Sequence, residues 1–194
     1  VLIRPRVGDF VYNRTELSAI EREISFYKNL GINGVVVGVL GEDGTVNAAA
    51  TRRLVELASP MQVTFHRAFD QCRKPAAELE KLVDCGVHRV LTSGGKPSVM
   101  EGMDTLRDLV DAARDRIIIL PGGGVSTDNA GYILETLGLR EIHLSGKVKV
   151  HSPMSELSSG VSLCSPCEIE DFSWYECDGD KIRAVKNLLD KAFR

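Results

Sequence analysis

Within Phe65-His66-Arg67-Ala68-Phe69-Asp70 an imidazole, a guanidinium and a carboxylate fall on six consecutive residues. A histidine can carry a proton near neutrality, an arginine can hold an anion, and a carboxylate can orient either. Groups of the same kind recur elsewhere. Arg4 and Arg6 follow the opening Val-Leu-Ile, and Ser93 leads into Gly94-Gly95. Gly122, Gly123 and Gly124 follow Pro121, and His143 and Ser145 flank Leu144. Successive glycines expose backbone N–H groups, which suit phosphate. The set fits proton transfer on a small anionic molecule. His66, His143 and Asp70 are the candidate catalytic groups. Arg4, Arg6, Arg67, Ser93, Gly122, Gly123, Gly124 and Ser145 are the candidate ligand-binding groups. Asp9 and Glu101 could add carboxylates, although each by itself reads first as a cap or a surface charge. His88 precedes an apolar run rather than following one, which marks it as structural. No lysine follows a run closely enough to offer a Schiff base. Cys164-Ser165-Pro166-Cys167 has a metal-like spacing, with His151, Met154 and Cys177 nearby in sequence. Thiolate and thioether ligands would select a soft ion such as Cu(I).

Every member of the first set sits in or just after a short apolar run. The runs begin at Val1, Val35, Val63, Arg89, Ile117 and Ile142, and from Val35 onward they recur about every 24 to 28 residues. One amphipathic segment lies between each pair. β-Branched runs alternating with helices predict a parallel sheet covered on both faces. Chemistry at the C-terminal end of strand after strand is the layout of a (β/α)₈ TIM barrel. Six runs fall short of eight strands, and an open sheet would leave apolar edges unpaired. The expectation is therefore a single partial barrel domain over 1–194, carrying strands 3–8, with two further βα units upstream. Strand parity turns Arg4, Arg6, His66, His143 and Ser145 toward the interior, near one mouth.

Local signals place the helices. Asn13-Arg14-Thr15-Glu16 reads as a capping box. Further helices are expected over about 48–58, over 75–85 with Pro75 in its first turn, around Leu106 to Ala113, and after a cap at Ser126. The Ser-rich stretch 147–177 is expected to be a long irregular connection, and 180–193 a terminal helix. The formal charge of −3 and pI near 5.9 argue against nucleic-acid and membrane-surface partners. No run approaches the ~18 apolar residues of a membrane span. Five cysteines, unevenly spaced, suit reduced thiols better than a disulfide framework.

Together the strand ends resemble the CutC copper-homeostasis family. The matching stretches are Ile3-Arg4-Pro5-Arg6-Val7-Gly8-Asp9-Phe10, Gly38-Val39-Leu40-Gly41-Glu42-Asp43-Gly44, the run from Val63 to Asp70, Arg89-Val90-Leu91-Thr92-Ser93-Gly94-Gly95, and Pro121 to Gly124. Weaker similarity continues through Ser152-Pro153-Met154. The resemblance implies a (β/α)₈ barrel, a cytoplasmic setting, self-association as a homo-oligomer and a role in copper handling, with a copper ion as the bound species. The cysteines proposed as copper ligands in the family lie on its first two strands, which this sequence lacks. Cys164 and Cys167 are then the local metal candidates.

The residues pull against the copper label. Arginine offers no lone pair to a metal and repels cations. At 5 Å and an effective dielectric near 20, each Arg–Cu(I) pair costs roughly 3 kcal/mol. The competing expectation is an isomerase-, lyase- or aldolase-like enzyme for a small anionic, possibly phosphorylated, metabolite.

Overall fold

A computed structural model describes residues 1–154 and 172–192 of the chain. The elements in chain order are α1 (Arg14–Asn29), β1 (Gly34–Val37), α2 (Ala48–Ala58), β2 (Gln62–Phe65), a 3₁₀ helix (Arg67–Gln71), α3 (Pro75–Asp84), β3 (Arg89–Thr92), α4 (Met103–Ala113), β4 (Ile118–Pro121), α5 (Ala130–Leu137), β5 (Lys147–His151), β6 (Ser173–Cys177) and α6 (Gly179–Ala192).

Strands β1 to β4 form one parallel sheet in consecutive order. The register sets Val35 against Val63, Phe65 against Val90, and Leu91 against Leu120. The first and last apolar runs are shorter than expected. Each is a single parallel bridge, Leu2 to Val36 on one edge and His143 to Gly122 on the other. An edge run has one neighbour to hold it, and both runs turn away as soon as that neighbour's groups are used. The six runs thus keep their order and direction, but only four become full strands.

The sheet is also covered on one face, not two. Val35, Val37, Val63, Phe65, Val90 and Ile119 are buried, whereas Val36, Thr64 and Leu120 are half-buried and Ile118 is 38% exposed. Consecutive strands joined by right-handed crossovers put every helix on the same side. Two apolar clusters fill the covered side. Ile20 and Ile24 of α1 and Leu54 and Ala58 of α2 pack on Val35, Val37 and Val63. Leu79, Leu82, Leu106, Leu109, Ile133 and Leu137 of α3, α4 and α5 pack with Phe65, Val90 and Ile119.

Two local expectations need correction. Ser126 does not cap the fifth helix, because α5 starts at Ala130. The Asn129 side chain instead accepts from Ser126 N–H at 2.8 Å and donates to Gly124 O at 2.9 Å. That closed turn offers the backbone an alternative to the helix. The stretch 147–177, expected to be irregular, carries β5 and β6 at its ends, paired antiparallel from Lys147–Cys177 to His151–Ser173. The period-two alternation of Lys147-Val148-Lys149-Val150 was the available signal.

The capping box forms as its sequence implies. Asn13 accepts from Glu16 N–H at 3.0 Å, and Glu16 Oε2 accepts from Asn13 N–H at 2.8 Å. Asn13→Ala is expected to lower stability by about 1 kcal/mol, read as a shift in the urea midpoint with an unchanged slope.

Candidate functional site

Strand β2 ends at Phe65, and the next residue turns the chain. His66 caps the 3₁₀ helix with its own ring, Nδ1 accepting from Ala68 N–H at 3.1 Å. The His66 backbone N–H still bonds Val37 O at 2.9 Å, so the residue stays anchored to β1. Its ring lies across the end of β1 on Gly38, where an added Cβ would come within 2.4 Å of Nδ1 and Cε1. Phe10 and Phe65 flank it, with centroids at 4.9 and 6.0 Å. The result is a histidine only 6% exposed, with Nε2 buried and without a partner. Burial first, and the Arg4 charge second, push its pKa down to about 4.

Asp70, at the end of the same turn, is the anchor of the neighbouring strand end. Its Oδ1 accepts from Thr92 Oγ1 at 2.5 Å, Ser93 N–H at 3.1 Å and Gly95 N–H at 3.1 Å. Its Oδ2 accepts from Arg67 Nε at 2.7 Å and lies 3.1 Å from Ser93 Oγ. With its side chain 6% exposed, it has no lone pair free for proton transfer. Arg67 is held by this bond and by a second, from its terminal nitrogen to Ser93 Oγ at 2.7 Å. The guanidinium thereby lies over Gly123, where a Cβ would approach its Nη1 to 3.0 Å. Gly123 and Gly124 both take positive φ, 123° and 70°. Only glycine meets the first of these without strain. Beside them His143 packs its Cβ and Cδ2 on Gly122, and desolvation followed by the Arg67 charge lowers its pKa.

The sequence-predicted residues therefore divide. Arg67, Ser93, Gly122, Gly123 and His143 come together around the ends of β3 and β4, held by Asp70, with Gly124 next along the chain. His66 belongs to the adjoining strand ends, with Arg4, whose guanidinium stacks on Phe10 at 4.7 Å and donates to Gly8 O at 2.6 Å. Arg6 touches this group only through Tyr12, its guanidinium lying 5.3 Å over that ring. Its Nε bonds Glu16 at 2.6 Å and its Nη2 bonds Asp9 at 2.7 Å, locking it to the start of α1. Strand parity placed Arg6 inward, but the strand has already ended before it. Ser145 is exposed beyond the last bridge. Glu101 bonds Ser98 in the loop before α4. His88 sits at the opposite end of the sheet, accepting from Val63 N–H at 3.1 Å.

Four contributors were not singled out from sequence as site residues. Phe10 and Tyr12 reach His66 and Arg4 through a loop whose shape no period encodes, and Thr92 reads as an ordinary strand residue. Gly38 had a signal, since it interrupts an otherwise β-branched run.

Metal donors are sparse here. Among the described residues no three His, Cys, Asp or Glu side chains are grouped to hold an ion. Burial, then Glu78, pushes the Cys72 thiol up to about 11, so it is not a thiolate. Cys85 is buried, and Cys177 is exposed on β6. Cys164 and Cys167 lie outside the described residues. A cavity of about 350 Å³ lies far from this chemistry, lined by Ile117, Ile119 and Leu139 at the opposite end of β4.

Three outcomes follow from this geometry. A histidine that stays neutral when buried but protonates when unfolded costs stability as acid is added. Unfolded chains take up the proton below pH ~6.5, and the native ring resists until about 4. Stability should therefore fall by about 3 kcal/mol between those values and level off below them. Urea titrations at stepped pH would show this, with the slope flattened in His66→Gln. Gly38→Ala should displace the ring, shifting the His66 NMR signals and costing about 1–3 kcal/mol. Asp70→Asn would point an amide at the Ser93 and Gly95 donors, and should cost about 2–3 kcal/mol in the same assay.

Comparison with known proteins agrees with the pattern of strand-end residues. The CutC family model matches residues 1–148. A CutC family protein of Pectobacterium atrosepticum is 43% identical over 188 residues, 97% of this chain and 74% of the relative. One from Parabacteroides distasonis is 40% identical, covering 95% of this chain and 76% of the relative. The crystal structure of a proposed copper homeostasis protein CutC from Streptococcus agalactiae superposes with a TM-score of 0.70 at 32% identity, covering 73% of this chain and 70% of that one. The parallel sheet, the strand-end cluster and these matches place the chain in the CutC family.

Proposed function

We propose that the chain forms part of the wall of a (β/α)₈ barrel that serves copper homeostasis in the cytoplasm, and that its strand-end site binds a small anion rather than the metal. Kinship to the Streptococcus agalactiae protein supports the copper role. Consecutive parallel strands with helices on one side support the barrel. Self-association into a homo-oligomer is carried over from the family resemblance.

One observation carries the anion reading. Arg67 is pinned by Asp70 and Ser93 so that it lies over Gly123, and the carboxylate doing the pinning is buried beneath it. A guanidinium fixed beside open glycine backbone is a cradle for carboxylate or phosphate. Arg4 adds a second cation, stacked on Phe10 and acting on His66. The same groups favour a metabolite-processing site, of isomerase, lyase or aldolase type, over a metal buffer. In that chemistry His143 is the group open enough to exchange a proton, while Asp70 positions Arg67. Copper, as cargo, falls to Cys164 and Cys167, whose spacing lets two thiolates reach one soft ion.

Calorimetric titration with inorganic phosphate and with propionate tests the site. Arg4→Ala is expected to weaken both about tenfold while leaving the melting midpoint within a degree or two. Anion affinity unchanged in that variant would count against the site. A Cu(I) titration under reducing conditions tests the cargo assignment. Binding should be lost in Cys164→Ser/Cys167→Ser and kept in Arg4→Ala; tight binding that survives the double substitution places the metal elsewhere.

A further inference from the structure

Two buried polar atoms beside Arg4 make no hydrogen bond of normal geometry among the described residues, and their chemistry can be read. His66 Nδ1 accepts from Ala68 N–H, so its lone pair is occupied and it carries no proton. A neutral imidazole has one N–H, which must then sit on Nε2. That N–H is buried on a ring flanked by Phe10 and Phe65, with no acceptor among the described residues. Tyr12 Oη, on a residue 8% exposed, makes no hydrogen bond of normal geometry among the described residues, although the Arg4 guanidinium lies close enough to act on it. Desolvation raises the Tyr12 pKa, so it also stays protonated. Arg4 is the charge that acts most strongly on both groups.

An unsatisfied buried donor costs about 1–3 kcal/mol. Nothing in the packing around His66 needs the Nε2 proton: a phenyl ring would fill the same space on Gly38. The donor makes sense when an oxygen arrives.

We propose that His66 Nε2–H, with Tyr12 Oη, reads an uncharged acceptor oxygen, a carbonyl or hydroxyl, on the small anion whose charge Arg4 holds, and that His66 is not a copper ligand. The inference rests on the anion reading above and narrows it to oxo- or hydroxy-acids and their phosphorylated counterparts. Arg4 takes the charged end. Phe10 and Phe65 shield the His66 ring from bulk water, and two neutral donors then recognise an oxygen that solvent would otherwise satisfy. Copper is disfavoured for a chemical reason. Metal coordination at Nε2 would require the Nδ1 lone pair to be released from Ala68 or both nitrogens to be deprotonated, while Arg4 repels the ion.

The test pairs two probes that differ in one oxygen, pyruvate and propionate. Long-range ¹⁵N–¹H correlation on labelled protein should show His66 protonated at Nε2 and bare at Nδ1 from pH 8 to pH 5, unchanged by one equivalent of Cu(I). Pyruvate should shift the Nε2 resonance and propionate should not. Tyr12→Phe, which removes one atom, should lower pyruvate affinity several-fold, leave propionate affinity alone and keep or raise the melting midpoint. His66→Ala should lower pyruvate affinity about tenfold. An Nδ1–H tautomer, or loss of the Nε2 proton on adding copper, overturns the proposal directly. Equal affinity for the two probes, unaffected by either substitution, overturns it while leaving the anion site standing. Failure of both probes and of phosphate to bind removes the site itself, and the proposal with it.

Discussion

The carboxylate of Asp70 holds two neighbouring strand ends in one arrangement, and the geometry of the site depends on it. A buried carboxylate is costly unless every lone pair is met. Here the donors come from the 3₁₀ helix after β2 and from the loop after β3. Each donor satisfied is also a loop fixed. Arg67 is thereby set over Gly123, and Gly94 and Gly95 take left-handed backbone, which lets the loop wrap the carboxylate. The closeness is mutual: a Cβ on Gly94 would meet Gly102 O at 2.5 Å. The loops after β2, β3 and β4 therefore behave as one unit rather than three.

The second constraint is steric. His66 reaches across β1 because Gly38 has no side chain to stop it. That contact buries the imidazole among aromatic rings, which removes its charge through the physiological range. A histidine with one nitrogen accepting from backbone and the other buried and protonated differs from both a proton shuttle and a metal ligand. A shuttle needs a pKa near the working pH, whereas a ligand needs a free lone pair. His143, more open and less shifted, keeps the flexibility that His66 lacks. Two histidines that look alike in sequence are thus given different chemistry by their surroundings.

Family membership and site chemistry meet only in part. The family carries a copper label, while the described strand ends present fixed guanidinium groups, open glycine backbone and neutral donors. A metabolite site and a metal role can coexist in one chain if they occupy different segments. Under the function proposed above, the cysteine pair at 164 and 167 is such a segment in sequence.

The sequence by itself determined the alternation of apolar runs and helices, and with it the parallel sheet, its consecutive order and the grouping of polar residues at strand ends. Those features follow from periodicity and from local caps such as Asn13 and Glu16, which need no distant partner. It also carried enough of the strand-end pattern to mark the family. Tertiary structure decided the rest. Parity could not tell that the first strand stops before Arg6, because a strand's length depends on a neighbour to pair with. Spacing could not tell that Asp70 is saturated, since its donors Thr92, Ser93 and Gly95 lie more than twenty residues away along the chain. Nor could it show the His66 ring lying on Gly38, or Phe10 packing on that ring. Residue type fixes which protons and lone pairs are available, but only packing decides which of them are already taken.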